Sequence, residues 1–346
     1  MLFNYNEVKT WAGSVLARSG VQQEDAAQAG GLLVRSEARG YASHSLTLFA
    51  AYVERLEKGL MNPRPNMTHR AFPGGIVLDV DGGMGQVAGP RAVELGVRAL
   101  ETQASVLVTL RNCGHLGALG VHALLAAEAG VLCVLGQAGP SCVGMEGFEG
   151  PGIGTNPLGF GCPLPGQPPI VFDTSSSIVA RGKILMAMRE GKPLPEGWAI
   201  DRQGRPTIDA EAAMLGSILP AGGHKGMGIA MMVHVLSGVL AGTADTLEQF
   251  GKPPLLTGAT GHQSAFFWFI RQNAFISAED FAEQMIGWAS HYTSRSSEAR
   301  LPGTRGAALE ARCEAQGLAL EGPLLTRLRA LGERVGVPLP TPLAAA

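Results

Sequence analysis

Apolar side chains recur at helical spacing in the first part of the chain. Val8, Trp11 and Leu16 fall on one face of a first helix, which Gly20 closes. The same spacing predicts a second helix over residues 24–36 and a third that ends near residue 59. Prolines and glycines then interrupt the pattern, and we expect a domain boundary after residue 74.

Short apolar runs alternate with helical stretches beyond this boundary. Because such alternation is typical of layered sheets and helices, it predicts an α/β domain. The predicted strands are residues 76–80, 105–110, 131–136, 169–172 and 264–270. The predicted helices are residues 90–102, 117–130, 177–189, 224–242 and 278–292, with a helical tail from residue 307.

The composition narrows the functional class. The chain has 346 residues, 46% of them hydrophobic and 16% charged, with a formal net charge of −2. A balance so close to neutral argues against a nucleic-acid binder, and the hydrophobic share argues against disorder. The apolar run over residues 227–242 is too short to span a bilayer and predicts a buried helix, so we expect no membrane partner.

Cysteines and the N-terminus indicate the compartment. None of the five cysteines forms a CxxC pair or lies at zinc-binding spacing from histidine, so we expect reduced, structural thiols and no metal site. The N-terminus lacks a basic segment followed by an apolar core, which predicts no signal peptide and a cytoplasmic protein.

The segment over residues 39–46 places a histidine beside hydroxyl groups at the start of the third helix. Ser43 or Ser45 is suited to cap that helix, and His44 would then lie near the positive end of its dipole, which favours neutral imidazole. Such a histidine can exchange a proton at neutral pH. The alternative is a capping turn with a solvated histidine.

Two glycine-rich turns follow predicted strands. Residues 83–88 fit the pattern GxGxx(G/A), but the next strand ends in Arg111 rather than an acid, and we favour a tight glycine turn. Residues 114–120 read Gly-His-Leu-Gly-Ala-Leu-Gly and would aim His115 out of a strand end, where α/β proteins bind ligands. A helix-capping histidine is the alternative there.

Three further polar turns are candidates for ligand contact. Thr155 and Asn156 form a polar turn in an apolar run, or merely an Asn-Pro turn. Residues 173–177 are a hydroxyl-rich helix start, suited either to capping or to a phosphate or ribose. Residues 221–228 place His224 and Lys225 between glycines at the start of an apolar helix, where an anion would meet an ammonium group.

Together the motifs resemble the type 2 malate/L-lactate dehydrogenase family, from about residue 5 to residue 336. The family also includes ureidoglycolate dehydrogenase, diketogulonate reductase and reductases of piperideine- or pyrroline-2-carboxylate. The matching motifs are Arg39-Gly40 with Ser43-His44, YVERL (52–56), NPRP (62–65), GHLGALG (114–120), GTNPLGFG (154–161), Asp173 with ARGKI (180–184), PEGWAIDRQGRPTID (195–209), GGHKGMG (222–228) and LPG (301–303).

The resemblance implies a fold, an activity and an assembly. It implies a non-Rossmann nicotinamide-binding α/β domain over residues 75–255. It also implies a helical domain formed by residues 1–74 and 256–346, and a homodimer. The implied substrate is a small 2-oxo or 2-hydroxy acid or a cyclic imine. The implied cofactor is NAD(P)H, and Arg111 and Lys225 favour NADPH slightly over NADH.

The resemblance also assigns roles to residues. His44 is implied as the proton donor or acceptor, with Ser43 as its relay and Lys183 as a third catalytic residue. Lysine at residue 183 is similar to the hydroxy-acid dehydrogenases, whereas the imine reductases carry aspartate there. The implied substrate contacts are Tyr52, His115 and Thr155. The implied cofactor contacts are His115, Leu116, Gly117, Ala118, Leu119, Asp173, Thr174, Ser175, His224, Lys225, Pro302, Gly303, Thr304 and Arg305.

The chain departs from the family pattern around His44. Ala42, Ser45 and Leu48 stand where the family usually has aspartate, glycine and arginine. That arginine is the expected clamp for the substrate carboxylate, and leucine cannot make a bidentate contact. The candidate replacements are Arg35, Arg39 and Arg181. Ala42 and Leu48 leave open a cofactor-binding protein without catalysis. A hydrolase with Ser43 as nucleophile and a histidine as base is a further hypothesis.

Overall fold

The computed structural model describes residues 1–242 and 263–344. Over these ranges helices and strands alternate along much of the chain, and the predicted α/β class is confirmed. The helices are α1 (Tyr5–Arg18), α2 (Gln23–Ala38), α3 (Phe49–Glu57), α4 (Gly85–Ala99), α5 (Leu119–Glu128), α6 (Arg181–Glu190), α7 (Ala210–Leu215), α8 (His224–His234), α9 (Ala278–Thr293), α10 (Thr304–Gln316) and α11 (Gly322–Val335).

The strands form one large sheet and two small ones. They are β1 (Leu2–Phe3), β2 (Thr68–Phe72), β3 (Gly75–Asp79), β4 (Ser105–Cys113), β5 (Leu132–Ala138), β6 (Leu158–Cys162), β7 (Ile170–Thr174), β8 (Ala199–Ile200), β9 (Pro206–Thr207), β10 (Ser217–Ile218), β11 (Gln263–Ile270) and β12 (Leu318–Ala319). The large sheet has the order β2-β3-β4-β11-β5-β6-β7, and only its β3–β4 pair is parallel.

This topology brings the ends of several strands to one edge of the large sheet, which we call the functional edge. Because β11 is antiparallel to both β4 and β5, those two strands point the same way. The antiparallel pairs β5–β6 and β6–β7 then return β7 to that direction. The ends of β3, β4, β5 and β7 therefore lie at one edge of the sheet, where β6 begins.

Both ends of the chain share one hydrophobic cluster. Apolar side chains of α1, α2 and α3 pack with those of α10 and α11, and β1 pairs with β12. A second cluster joins the large sheet to α4 and α5. The large sheet includes β2, which precedes residue 75, and β11, which follows residue 255. The domain boundaries themselves stay a prediction.

Several element limits differ from the sequence-based prediction. Helix α4 begins at Gly85, so Pro90 lies inside the helix rather than in its first turn. Helix α6 begins at Arg181, four residues later than predicted, because residues 173–177 form a turn with hydrogen bonds of its own. The prediction missed β2 and β6.

The apolar run over residues 227–242 is not a buried helix. It continues α8 through a π-helical turn, Val235–Val239. Met227, Ala230 and Val233 are buried, but Met231, Met232, Val235, Val239 and Leu240 are exposed. Only one face of the segment therefore packs on the protein. No helix within the described ranges has the length and apolar character needed to cross a membrane. All five cysteines are buried and unpaired.

Candidate functional site

His44 lies on an irregular turn before α3, and Ser43 is its hydrogen-bond partner. The Ser43 hydroxyl lies 2.7 Å from His44 Nδ1. The predicted cap is wrong for both serines, because a 3-10 turn (Leu46–Leu48) precedes α3 and neither side chain caps it. Burial lowers the pKa of His44, so the imidazole is neutral at pH 7.

His115 faces His44 from the end of β4. The two imidazole rings are 5.5 Å apart, and His115 Nδ1 shares a hydrogen bond of 2.8 Å with the Tyr52 hydroxyl of α3. Burial lowers the pKa of His115 to about 3, and the positive charge of Arg55 adds to that effect. Burial also raises the pKa of Tyr52, so that side chain keeps its proton. The structure thus brings Ser43, His44, Tyr52 and His115 together as neutral groups.

Polar side chains that sequence reasoning missed hold the His115 loop. Gln137, at the end of β5, accepts a hydrogen bond from Leu116 N and donates one to Gly114 O. Gln86 of α4 donates to the His115 carbonyl oxygen at 3.2 Å. Both glutamines are almost fully buried. Their signal in the sequence was a lone polar residue within an apolar run, because a buried amide needs partners.

Thr155 and Asn156 lie at the same edge of the sheet, before β6. The Thr155 carbonyl oxygen accepts hydrogen bonds from both the backbone N–H and the hydroxyl of Ser176. Asn156 is fully buried, donates to Ala230 O of α8 and accepts from Gly139 N. The loop before β6 is therefore fixed to the turn after β7 and to α8.

Asp173, near the end of β7, contacts the start of α5. Its carboxylate accepts a hydrogen bond of 2.9 Å from Gly120 N. Burial raises the pKa of Asp173 to about 6, although hydrogen bonds from the Gly120 and Leu119 N–H groups oppose that rise. Its neighbours Thr174 and Ser175 differ in environment. Thr174 is exposed, whereas the Ser175 hydroxyl shares a hydrogen bond of 2.7 Å with the Ser177 hydroxyl.

The turn before α8 packs against the turn after β7. Ala221 N donates to Ser176 O, and a Cβ at Gly226 would lie 2.6 Å from that same oxygen, so only glycine fits there. His224 and Lys225 are exposed, and neither side chain makes a hydrogen bond or ion pair within the described ranges. Their side chains are available to a ligand at this edge.

The segment over residues 302–305 is attached to β7 and α2. Val171 N of β7 donates to Pro302 O, and Arg39 of α2 donates to Gly303 O at 3.3 Å. Thr304 begins α10, and Arg305 is exposed. The residues predicted to contact the cofactor thus come from four separate segments. The structure ties these segments, at residues 115–119, 173–175, 224–225 and 302–305, to β4, β7 or the turn after β7.

The candidate replacements for an arginine at residue 48 differ in availability. Arg35 is paired with Glu128 and Glu310, and Arg39 is paired with Glu310 at 2.7 Å. Arg181, at the start of α6, is half-buried, and its side chain makes no hydrogen bond or ion pair in the part of the chain that the structure describes.

Arg181 also lies beside the Thr155 loop. Burial raises the pKa of the Cys142 thiol to about 11, and the nearby Arg181 guanidinium and a hydrogen bond from the Thr155 backbone oppose that rise. Arg181 is therefore a cation near the same thiol as Thr155, a predicted substrate contact.

Two other predicted charges lie apart from the histidine pair. Lys183 is exposed on α6, and no contact joins it to Ser43 or His44 in the described ranges. Arg111, considered for a cofactor phosphate, is paired with Asp79 at 2.9 Å. The roles of both residues stay predictions.

Known proteins share both the sequence and this architecture. Residues 3–329 match the family model for malate/L-lactate dehydrogenases. A malate dehydrogenase of Pyrococcus horikoshii is 34% identical over 281 residues, covering 78% of this chain and 76% of that protein. A Δ1-pyrroline-2-carboxylate/Δ1-piperideine-2-carboxylate reductase of Pseudomonas aeruginosa is 34% identical over 245 residues, covering 70% of this chain and 73% of that protein.

A solved structure agrees over the whole fold. The sulfolactate dehydrogenase from Methanocaldococcus jannaschii superimposes with a TM-score of 0.86 at 26% identity, covering 98% of each chain. These matches confirm the resemblance found in the motifs. Since the family model spans nearly the full length and the relatives cover most of it, the chain belongs to the malate/L-lactate dehydrogenase family.

Proposed function

We propose that this chain is an NAD(P)-dependent oxidoreductase that interconverts a small 2-oxo acid and its 2-hydroxy acid, with His44 as the acid/base group. The observation that carries the proposal is the His44–His115 pair, 5.5 Å apart where α3 meets the functional edge of the sheet. Reduction of a carbonyl leaves an alkoxide that needs a proton, and oxidation needs a base for the hydroxyl. A neutral, half-buried imidazole is suited to that exchange.

Ser43 completes a proton path. Its exposed hydroxyl bonds His44 Nδ1, which leaves Nε2 for the substrate. A proton can therefore reach His44 Nδ1 from solvent through Ser43. Tyr52 and His115 keep their neutral forms beside it and offer hydrogen bonds to the substrate oxygen.

The donor groups at the functional edge fit a nicotinamide dinucleotide. Lys225 supplies for phosphate an ammonium that has no partner among the described residues, and Asp173 and Thr174 supply acceptors and a hydroxyl for ribose. When bound, the nicotinamide ring supplies or takes the hydride. The proposed preference for NADPH over NADH rests on Lys225, since Asp79 already pairs with Arg111.

Arg181 is the proposed clamp for the substrate carboxylate. Acidic partners hold Arg35 and Arg39, whereas Arg181 is unpaired within the described ranges and lies beside the Thr155 loop. A planar guanidinium binds a carboxylate through two parallel hydrogen bonds. Arg181 would then take the role of the arginine that the family usually has where this chain has Leu48.

A cyclic-ketimine reductase is the second candidate function. The Pseudomonas aeruginosa relative is named for reduction of pyrroline- and piperideine-2-carboxylate. A ring imine carries the same carboxylate as a 2-oxo acid and also needs one proton for each hydride. Lys183 favours the hydroxy acid, because an exposed ammonium does not replace a carboxylate in a proton relay.

The proposed assembly is a cytoplasmic homodimer with two domains per chain. Residues 1–74 and 256–346 supply the helical domain, and residues 75–255 supply the non-Rossmann cofactor domain, whose large sheet also takes in β2 and β11 from the two outer segments. The hydrophobic cluster shared by both chain ends supports the helical domain. Exposed apolar side chains on two helices support a dimer, because a water-exposed patch of this kind is typical of an interface. They are Met231 of α8, Val235 and Val239 of the π-helical turn that follows it, and Trp288 and Tyr292 of α9.

The test is a cofactor titration followed by a substrate screen. NADH and NADPH fluorescence gives the preferred cofactor, and a panel of 2-oxo acids and cyclic imines gives the substrate class. We expect turnover with a 2-oxo acid, and we expect His44→Ala to lower kcat strongly while cofactor binding persists. Unchanged kcat in His44→Ala would remove His44 from the chemistry. Cofactor binding without any turnover would favour a protein that has lost catalysis.

A further inference from the structure

A carboxylate outside the reacting groups holds the turn that carries His44. Glu37 lies in the last turn of α2 and accepts a hydrogen bond of 2.5 Å from the Ser45 hydroxyl. The Leu46 backbone N–H lies near the same carboxylate and lowers the pKa of Glu37, opposing the larger rise caused by burial. Ser45 is fully buried, so its hydroxyl depends on this partner.

The side chain of Leu46 also anchors the turn, since it is buried in the cluster shared by both chain ends. Ala42 and Ser43 are exposed, and the turn has local hydrogen bonds from His44 N to Tyr41 O and from the Thr47 and Ser45 hydroxyls to Ala42 O. These bonds close the turn on itself. Glu37 instead joins the two residues that follow His44 to a long buried helix.

From this geometry we propose that Glu37 is a positioning residue, which fixes the His44 imidazole through Ser45 and Leu46. The inference rests on the proposed function of His44. Charge-assisted hydrogen bonds are shorter and stronger than neutral ones, so one carboxylate can hold two donors in a fixed place. Ser45 stands where the family pattern has glycine, so its hydroxyl contact with Glu37 is an addition in this chain.

The hydrogen bond between Glu37 and Ser45 predicts a specific kinetic result. If Glu37 acts through the turn, its loss lowers the rate of the proton-transfer step and leaves cofactor binding intact. Removal of Ser45 breaks the same contact from the other side. The two losses then fail to add, because each variant has already broken the shared bond.

The experiment is a double-mutant cycle with Glu37→Ala and Ser45→Ala, measured as kcat and as KM for NADPH and for the substrate found in the screen. We expect each single variant to lower kcat by about tenfold or more, with KM for NADPH unchanged. The double variant should be no slower than the slower single one. Glu37→Gln keeps one acceptor oxygen and should retain more activity than Glu37→Ala, and it serves as the readout if Glu37→Ala fails to fold.

Ser36→Ala is the matched control. Ser36 is buried one residue earlier in α2, and its hydroxyl bonds Leu32 O within the helix. We expect unchanged kcat for this variant. If His44→Ala loses activity while the Glu37 and Ser45 variants stay within twofold of wild type, the positioning role is refuted and the proposed function stands. Additive losses would refute it as well. Absence of turnover in the wild type would overturn both proposals.

Discussion

Gly85 controls the position of His115 from outside the reacting groups. It opens α4 directly against the His115 loop. A Cβ at residue 85 would lie 2.3 Å from the His115 carbonyl oxygen and 2.6 Å from Leu116 Cα. Ordinary contacts of a Cβ begin at 3.4 Å. Gly85→Ala therefore forces the loop backbone to move by about 1 Å, since rigid backbone rather than a flexible side chain stands in the way.

The size of the effect follows from that displacement. A movement of about 1 Å stretches the 2.8 Å bond between Tyr52 and His115 beyond hydrogen-bond range. Misplacement of a site by about 1 Å costs about 100-fold in rate, and overpacking a tight contact costs about 1–3 kcal/mol. We expect Gly85→Ala to lower kcat by about 100-fold and the free energy of unfolding by about 1–3 kcal/mol.

The assay compares steady-state kinetics and urea unfolding with those of Gly31→Ala. Gly31 lies within α2, and a Cβ there meets nothing within 4 Å. Alanine should therefore raise the free energy of unfolding by about 0.5–1 kcal/mol through helix propensity and leave kcat unchanged. A Gly85→Ala variant with wild-type kcat would refute the reasoning, as would equal losses in both variants.

Two further predictions test the proton and the carboxylate. Because burial lowers the pKa of His44, the pH profile of kcat/KM should have its inflection below 6.5. As pH falls through that inflection, oxidation of the hydroxy acid should lose rate and reduction of the 2-oxo acid should gain rate. An inflection at or above 6.5 would contradict this prediction. Arg181→Met should raise KM for the 2-oxo acid by about 10- to 100-fold through loss of a charge-assisted contact, with KM for the cofactor unchanged. Arg189→Met, an exposed arginine on the same helix, is the control, and equal effects would exclude the clamp.

Local sequence patterns predicted most of the helices but gave no signal for strands β2 and β6. Helices α1 and α2 followed from apolar periodicity, because each buries one continuous stripe. Strand β2 gave no alternation, since all five of its residues are exposed. Strand β6 is rich in glycine, which disfavours strands in isolation. A Cβ at Gly161 would lie 2.2 Å from Ala123 O of α5, so the packing of that helix requires glycine there.

The partners of polar groups were likewise beyond the sequence. Ser45 is suited to a helix cap by local rules, yet its hydroxyl bonds Glu37. Arg39 remained a candidate clamp until the fold paired it with Glu310, 271 residues away. No local rule finds such partners, because the choice among competing acceptors depends on which elements the core brings together.

The sequence by itself determined the family, the α/β class and the turns that carry His44, His115, Asp173 and Lys225, because glycines, histidines and apolar spacing are local signals. Only the tertiary structure decided that His44 faces His115, that Glu37 holds the turn and that Arg181 stays unpaired within the described ranges. The reason is physical: strand order, burial and the pairing of distant charges are properties of packing, and packing assigns each polar group its partner and its pKa.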